Sequence, residues 1–378
     1  MHNVNLLNSV NNYLDVNLIS EDNVLNESYY LEMGIPFNAF SSSQNFFYGL
    51  WMRLGFLKNG LRSFTDFYNS FIINTTLSNH PHDLVEFMDI HSEGFVYHKS
   101  NPKGVRKTKV IIRSHTPWTI LRKYYSDYER KGIDAWWAID REQYCFNNCD
   151  AITTPSKDLK NELIKTFNID EEKITVLPNL VDTNHFTPHD YSDNEIFTIL
   201  HVGRFEKGKG VETLLDAFIL LAKKYSNIHL LNIGPEQGAF LEKCKNRLSN
   251  ENLLDRVTFA GFINYETLPE KYGNSDLVVV PSEIYESFSY TVAQAMACGR
   301  TVIASKIGGI PETLGDWNNE LSFKPGNGEE LFEKIDELYI DEEKRIYLGN
   351  KMRDYAVNNF SIEVLTPKYI EYYKSLLI

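Results

Sequence analysis

The stretch from Thr198 to Tyr225 reads TILHVGRFEKGKGVETLLDAFILLAKKY, and this strand–turn–helix pattern decides the fold class. Its first five residues, Thr198–Val202, form a short apolar run that predicts a buried strand. The residues Gly203–Gly210, GRFEKGKG, predict a glycine-rich turn. After that turn the apolar residues recur at the spacing of an amphipathic helix, at Val211, Leu214, Leu215, Phe218 and Leu221.

The same alternation recurs through the second half of the chain. Helix-like segments begin near Glu236, Glu266 and Ser287. An order of strand, helix, strand and helix predicts a parallel, doubly wound α/β sheet, and ligands of such sheets bind outside the carboxyl ends of the strands. The further runs that we interpret as strands are His229–Ile233, Val257–Phe262, Leu277–Val280 and Thr301–Ala304.

The first half is less regular, but it also predicts a Rossmann-like domain. The segment Pro178–Asn194 is rich in Pro, Asn, Asp and His and predicts an interdomain linker with a hinge. We therefore expect an N-terminal domain over 1–185 and a C-terminal domain over 186–360, with a helix over 361–378 that can pack back on the first domain. The parallel strands predicted in the first half are Asp83–Phe87, Val110–Arg113, Ala151–Thr154 and Thr175–Leu177.

Charge is distributed unevenly along the chain. The formal net charge of −13 argues against non-specific nucleic-acid binding, because a polyanion is repelled at long range. From Val96 to Lys131, however, there are ten Lys or Arg and only two acids. A basic run is usually a solvated face, but the part Lys99–Lys131 flanks His115, which favours an anionic acceptor or a lipid headgroup as its partner.

Cysteine usage and hydropathy favour a cytoplasmic protein. The chain opens without a signal-like segment and has four cysteines, which is typical of a reducing compartment. Cys145 and Cys149 have a helical spacing that would suit a metal, but no second ligand pair accompanies them, so we interpret them as buried thiols. No apolar run is long enough to span a bilayer. The aromatic stretch Phe46–Phe64, with three basic residues, is either a core helix with a loop or a peripheral membrane contact.

The glycine-rich turn Gly203–Gly210 has the features of a diphosphate site. A turn that leads from a strand into a helix offers free backbone N–H groups and the positive end of the helix dipole, and Arg204 and Lys209 add two cations. The letters nearly match the phosphate loop of nucleoside triphosphatases, but Gly210 stands where a Ser or Thr must contact magnesium. A tight turn with two solvated cations is the alternative interpretation.

A second motif, PSEIYESFSYTVAQAMACG at Pro281–Gly299, places polar residues within an apolar, closely packed helix. Glu286 and Gln294 interrupt this run, and polar groups placed there need partners. Their separation along a helix is about 12 Å, enough for one to reach the sugar and the other the ribose of a nucleotide sugar. The alternative is an acid at a helix N-terminus together with a surface glutamine.

These motifs together resemble the retaining GT-B-fold glycosyltransferases of the family 4 type, also called glycosyl transferases group 1. The signature of that family is a glutamate, seven residues and another glutamate. The resemblance covers roughly Asp83 to Leu314 and implies two Rossmann-like domains that face each other across a cleft. The matching segments are GRFEKGKG, GPE at Gly234, GF at Gly261, PSEIYESFSYTVAQAMACG, IGGIPETL at Ile307, VLPNLVDTNHFTP at Val176 and IIRSHTPW at Ile111.

The resemblance also implies roles for individual residues. Arg204 and Lys209 would bind the donor diphosphate, Glu286 the donor sugar and Gln294 the ribose, while His115 would contact the sugar from the first domain. Of these, Glu286, His115, Arg204 and Lys209 are the expected catalytic residues. The expected donor-binding set is completed by Gly203, Gly234, Phe262, Ile263, Phe288, Ser289 and Tyr290.

Three departures from the family pattern stand out. Gln294 replaces the second glutamate, although an amide keeps an acceptor and gains donors. Ser289 replaces the usual glycine and narrows the space beside the sugar. The first half also shows no Gly-Gly pair of the kind that the family often carries near its N-terminus.

The reaction implied is retaining transfer of a sugar from a nucleotide-sugar donor to a hydroxyl of a glycan, lipid-linked or small-molecule acceptor. No Asp-x-Asp motif occurs in the chain, so we expect neither a metal ion nor another cofactor. An isomerase or phosphorylase on the same fold, and a non-catalytic nucleotide-sugar-binding partner subunit, are the alternatives. The sequence does not identify the base, the sugar, the acceptor or the oligomeric state.

Overall fold

The computed structural model of the chain describes residues 18–21, 37–40, 62–78, 82–124, 130–189, 195–235 and 238–378. They belong to two units. The first ends at Pro178 and resumes at Thr366–Ile378, and the second comprises Asn179–Leu365. The chain therefore crosses between the units at the start of the predicted linker and again inside its last helix, a few residues away from the expected boundaries.

The first unit is built on a parallel sheet of four strands in the order β3-β4-β5-β6. The four strands predicted here are confirmed, and their ends agree to within one residue. Strands β1 and β2 form a separate parallel pair. In chain order the elements are β1 (Leu18–Glu21), β2 (Phe37–Phe40), α1 (Arg62–Ser78), β3 (Leu84–Met88), α2 (Phe95–Ser100), β4 (Lys109–Arg113), α3 (Trp118–Leu121), α4 (Gly132–Asn148), β5 (Ala151–Thr154), α5 (Lys157–Phe167) and β6 (Ile174–Val176).

The second unit contains a parallel sheet of six strands in the order β12-β11-β10-β7-β8-β9, which confirms the doubly wound α/β arrangement. The elements are β7 (Phe197–Val202), α6 (Val211–Lys224), β8 (Ile228–Ile233), α7 (Gly238–Asn250), β9 (Val257–Phe259), α8 (Leu268–Gly273), β10 (Leu277–Val280), α9 (Tyr290–Ala297), β11 (Val302–Ser305), α10 (Ile310–Leu314), α11 (Asn318–Leu321), β12 (Ser322–Phe323), α12 (Gly328–Ile340) and α13 (Glu342–Phe360). The last helix, α14 (Ile362–Leu377), begins in this unit and continues into the first.

Three details of the second unit differ from the sequence prediction. Strand β9 ends at Phe259 rather than Phe262, and the two-residue strand β12 was not predicted. Helix α9 begins at Tyr290 rather than near Ser287, because the Ser289 hydroxyl accepts the backbone N–H of Val292 and so caps the helix.

The core of the second unit follows from its apolar runs. Every residue of β10, Leu277–Val280, is buried, as expected for a parallel strand with helices on both faces of the sheet. Helix α9 packs closely because Ala293, Ala295 and Ala297 are small, and all three are fully buried.

A buried polar network holds the end of α14 in the first unit. Arg113, the last residue of β4, is fully buried, and its guanidinium hydrogen-bonds the hydroxyl of Tyr369. The Tyr369 hydroxyl also donates to the carbonyl of Pro178 at 2.9 Å. On the neighbouring strand, Glu86 accepts from the Tyr373 hydroxyl at 3.0 Å. These contacts explain why the last turns of the helix belong to the first unit.

The described part of the linker is attached to the second unit. Arg353 of α13 donates to the carbonyls of Thr183, Phe186 and Ala297 at 3.0, 2.7 and 2.6 Å. The guanidinium of Arg300 donates to the carbonyl of His189 at 2.8 Å. Residues 183–189 therefore form an ordered part of this unit.

Candidate active site

The glycine-rich turn lies at the carboxyl end of β7 and leads into α6. Gly210 has a φ of +70°, a conformation that L side chains rarely adopt. A Cβ at this position would overlap the carbonyl oxygen of Pro281, so only glycine permits the turn to approach that segment. The backbone N–H of Glu283 also donates to the carbonyl of Gly208 at 3.0 Å. The two predicted motifs therefore meet at the same edge of the sheet.

Lys209 and Glu286 form an ion pair where these motifs meet. The Lys209 Nζ lies 2.8 Å from Glu286 Oε1, and the hydroxyl of Ser282 donates to the same oxygen. Both side chains remain partly accessible, with 22% and 15% exposed. The predicted diphosphate cation and the predicted sugar-binding acid thus contact each other directly.

The IGGIPETL segment fixes the backbone of Glu286. The N–H of Gly309 donates to the Glu286 carbonyl at 2.7 Å. Gly308 has a φ of +54°, and a Cβ there would overlap that same carbonyl oxygen. A further motif that carried the family resemblance therefore positions the backbone behind the carboxylate.

Arg204 lies at the rim of the turn, with 46% of its side chain exposed. Its guanidinium is 3.1 Å from the carboxylate of Glu206, which is buried. Both predicted phosphate-binding cations are therefore paired with carboxylates, and an incoming diphosphate would have to replace or share those partners.

The GPE and GF segments adjoin the same turn. Gly234, with a φ of +144°, approaches the Gly203 carbonyl so closely that a Cβ would overlap it. The Gly234 N–H donates to the carbonyl of Gly261 at 2.8 Å. Next to this contact Phe262 is 77% exposed, and Ile263 is partly buried against the core. All of these predicted donor-binding residues thus lie at one edge of the sheet.

Gln294 is buried on α9, with 3% of its surface exposed, so its interpretation as a surface glutamine is wrong. Its Oε1 accepts a hydrogen bond from the hydroxyl of Tyr272, which is fully buried, at 3.3 Å. Phe288 is buried and contacts the ring of Tyr290. Ser289 caps the helix, which gives a structural role to the residue that departs from the family pattern.

Sequence reasoning missed three residues of this site. Ser282 orients Glu286, and Glu283 accepts from the hydroxyl of Thr213 in the first turn of α6 at 2.6 Å. His201 is buried beneath Gly203, and burial, with the nearby charge of Lys209, lowers its pKa to about 4. Ser282 and Glu283 belong to the recognised motif, whereas His201 looked like an ordinary strand residue.

In the first unit, His115 follows β4 on a loop that is anchored by a buried acid. The Asp89 carboxylate accepts from the hydroxyl of Ser114 at 2.7 Å and from the backbone N–H of His115 at 3.1 Å. Burial lowers the pKa of His115 to about 3, so its imidazole is neutral near pH 7. Burial also raises the pKa of Asp89 to about 6.

A second buried acid holds the other end of the same loop. Glu142 of α4 accepts from the backbone N–H of Trp118 at 2.7 Å and from that of Thr119 at 3.0 Å. Burial raises its pKa to about 7. Neither Asp89 nor Glu142 was predicted, because each lies outside the motifs and more than twenty residues from the loop in sequence.

The basic run Lys99–Lys131 is partly structural. The ammonium of Lys103 donates to the carbonyl of Cys149, and Arg106 donates to the carbonyl of Asn148 and to Asp150, so both satisfy the C-terminal end of α4. Lys123 pairs with Glu162 at 3.2 Å. These contacts give no support for a continuous anion-binding face.

All four cysteines are buried and free, which confirms the interpretation of Cys145 and Cys149 as buried thiols. Among the described residues no three His, Cys, Asp or Glu are grouped to hold a metal ion. Within the same residues no helix has the length and apolar character needed to cross a membrane. Most of the aromatic stretch Phe46–Phe64 lies outside the described residues.

Comparison with known proteins extends the family resemblance to most of the chain. The profile of Glycosyltransferase Family 4 matches residues 49–185, and that of Glycosyl transferases group 1 matches 188–355. The chain is 28% identical to N-acetyl-alpha-D-glucosaminyl L-malate synthase of Bacillus anthracis, over 60% of either chain. It is 26% identical to mannosylfructose-phosphate synthase of Agrobacterium fabrum, over 58% of this chain and 54% of that protein. The chain thus spans less than two thirds of these curated relatives.

Solved structures match over nearly the whole length. HepE from Anabaena, solved in complex with UDP, superimposes with a TM-score of 0.74 at 18% identity and covers 99% of this chain and 96% of its own. An identity this low is informative about the fold alone. With the two profiles it leads to one conclusion: the chain has the GT-B fold and belongs to the glycosyl transferases group 1 family.

Proposed function

We propose that this protein is a retaining glycosyltransferase that moves a sugar from a nucleotide-sugar donor to an acceptor hydroxyl without a metal ion. The observation that supports this proposal best is the Lys209–Glu286 ion pair, 2.8 Å long, at the ligand edge of the second sheet. It joins the expected diphosphate cation to the expected sugar-binding acid. The missing Asp-x-Asp motif supports the absence of a metal.

The donor would lie across the loops that follow β7, β8 and β10. The N-terminal end of α6, with Lys209 and Arg204, would receive the diphosphate and stabilise the negative charge that grows on the leaving group. The exposed Phe262 offers an apolar surface to the base. Because HepE was solved with UDP, a UDP-sugar is the first donor to try.

Glu286 would change partners when the donor binds. The diphosphate competes for Lys209, and the released carboxylate, still held by Ser282, would accept from sugar hydroxyls and favour positive charge near the anomeric carbon. In the first unit, the neutral imidazole of His115 would exchange hydrogen bonds with the sugar without adding charge.

The acceptor is a hydroxyl on a glycan, a lipid-linked sugar or a small molecule. Two relatives are named for a malate and a fructose-phosphate product, which favours a small polar acceptor. If the acceptor is lipid-linked, the first domain would contact the membrane surface peripherally.

The test is a panel of UDP-, GDP-, ADP- and TDP-sugars, measured by donor hydrolysis and by thermal shift with and without EDTA. We expect one base to raise the melting temperature, because the ligand stabilises the folded state, and hydrolysis to persist in EDTA. Loss of hydrolysis in EDTA that manganese restores would contradict metal independence. Donor binding without hydrolysis or transfer would instead favour a non-catalytic subunit.

A further inference from the structure

The backbone that follows β3 is strained at two successive residues. His91 and Ser92 have φ values of +61° and +54°, in the left-handed region that residues other than glycine seldom occupy. Such strain persists only where surrounding contacts impose it, and it is concentrated at functional sites. Two residues earlier, Asp89 binds the loop that carries His115, so both loops lie at the carboxyl edge of the same sheet.

The His91 imidazole is accessible and is held by a buried carboxylate. Its Nδ1 lies 3.1 Å from Asp66 Oδ1, with 57% of the His91 side chain exposed and 8% of that of Asp66. When Nδ1 donates its proton to Asp66, the other ring nitrogen, Nε2, is the atom left for a ligand. His91 makes no other ring hydrogen bond within the part of the chain that the structure describes.

Two arginines share the carboxylate that holds His91. Asp66 Oδ2 is 2.8 Å from Arg130 and 3.0 Å from Arg141, and both guanidiniums are buried. Glu93, whose pKa burial raises to about 7, also attracts the imidazolium. Asp66 therefore pairs with three basic groups, so these four side chains together carry an excess of positive charge, and the imidazole is the exposed one among them.

The protonation of the pair agrees with this excess. The hydrogen bond to Asp66 raises the pKa of His91, although partial desolvation of the ring and the charge of Arg130 act against it. Burial alone would raise the pKa of Asp66, but the hydrogen bond and charge of His91 and the charges of both arginines outweigh it and hold that pKa below its usual value. An imidazolium with a charged partner is the favoured state.

We propose that His91, oriented by Asp66, binds an oxyanion carried by the acceptor, either a phosphate or a carboxylate. This inference rests on the proposed function, because it assigns the acceptor of that reaction to a chemical class. The Nε2–H of the imidazolium donates to the anion, while Arg130 and Arg141 keep Asp66 from cancelling the positive charge. Binding weakens as the pH rises through the pKa of His91, because the neutral ring no longer attracts an anion.

The direct test needs neither donor nor acceptor. Histidine resonances of the whole protein, labelled with ¹⁵N and assigned with His91→Gln, are followed through a pH titration in sodium phosphate, in sodium acetate and in sodium chloride of equal ionic strength. We expect phosphate or acetate to raise the pKa of His91 relative to chloride and to shift its resonance saturably, and the more effective anion identifies the group. Identical His91 titrations in all three salts would overturn the proposal.

A kinetic test separates charge recognition from backbone strain. Transfer from the donor identified by the hydrolysis panel is measured with fructose and fructose 6-phosphate as the acceptor pair. His91→Asn, which tolerates the left-handed backbone, should raise the KM for the phosphorylated acceptor by about ten- to hundredfold and that for fructose far less. Ser92→Gly relieves strain without touching the imidazole and should leave both KM values unchanged.

The outcomes distinguish this inference from the proposed function. If donor hydrolysis is present and neither the His91 titration nor the KM of the phosphorylated acceptor responds, only the oxyanion site is wrong. If His91 responds to an anion while no nucleotide sugar is bound or hydrolysed, the glycosyltransferase proposal fails and an anion site remains.

Discussion

The two candidate sites of this protein place their charges differently. At the edge of the second sheet, Lys209 and Arg204 are partly accessible and are paired with acids that lie within the predicted motifs. At the edge of the first sheet, the acids that hold the His115 loop are buried and have raised pKa values, and they lie outside every predicted motif. The second unit therefore presents charge to a ligand, whereas much of the charge in the first unit fixes loops in place.

The largest effect should come from the closest backbone approach in the second unit. Gly210→Ala introduces both an unfavourable φ and an overlap with Pro281, so we expect a loss of about 2 to 5 kcal/mol of unfolding free energy. Gly326→Ala is the matched control, because Gly326 has a φ of +78° with nothing near its Cβ position. Denaturant unfolding should show a clearly smaller loss in the control, and equal losses would mean that the contact with Pro281 is unimportant.

The accessible charge of the second site is tested next. Lys209→Ala should remove about 2 to 4 kcal/mol of transition-state stabilisation, roughly thirtyfold to a thousandfold in kcat/KM. Lys223→Ala is the control, since Lys223 forms an ion pair with Glu251 of the same 2.8 Å length on the surface of this unit. A change below about threefold in donor turnover for Lys209→Ala would remove this lysine from the site.

The buried charge of the first site should appear as pH dependence. Burial raises the pKa of Asp89 from 3.8 to about 6, so its contribution to stability is greatest below pH 4 and is lost as the pH rises to about 6. Asp89→Asn keeps one hydrogen-bond acceptor oxygen, which is enough because Ser114 and His115 both donate to the same oxygen of Asp89. In this variant the free energy of unfolding should vary less with pH, by up to about 3 kcal/mol between about pH 4 and pH 7. Denaturant unfolding across that range measures the difference. Asp170→Asn, at an exposed position, should leave the profile unchanged, and an unaltered profile in Asp89→Asn would contradict the assignment.

The smallest effect concerns the buried amide that departs from the family pattern. If Gln294 contacts the ribose, Gln294→Ala should weaken calorimetric binding of the donor and of the free nucleotide about three- to tenfold. Gln294→Glu should be tolerated. Tyr272→Phe removes the hydroxyl that donates to Gln294 and serves as the control for a purely internal role. Equal losses in Tyr272→Phe and Gln294→Ala would mean that the amide only satisfies the tyrosine.

How far the sequence predicted these sites depended on whether the contacting residues lie in recognisable motifs, because the predicted pair Lys209 and Glu286 is 77 residues apart. Gly203, Lys209 and Glu286 lie in two continuous motifs, and local periodicity placed both motifs at strand ends. Asp89 and Glu142 contact their loop from 26 and 24 residues away, and Asp66 contacts Arg141 from 75 residues away. None of these acids lies in a motif that the sequence analysis identified, so nothing in the sequence pointed to them. Strand β12 has only two residues, which are too few to show a periodicity. Helix α9 begins later than its hydropathy predicted, because the side chain of Ser289 caps the helix at that point.

The pairing of Lys209 with Glu286 and of Arg204 with Glu206 has a consequence for how quickly ligands arrive. An empty site whose cations already have carboxylate partners projects little positive potential into solution, and the chain as a whole carries −13. Electrostatic steering would then not accelerate the association of a nucleotide sugar, and added salt should not slow that association. Anions would be distinguished after they touch the site, by their ability to displace a carboxylate, rather than while they approach it.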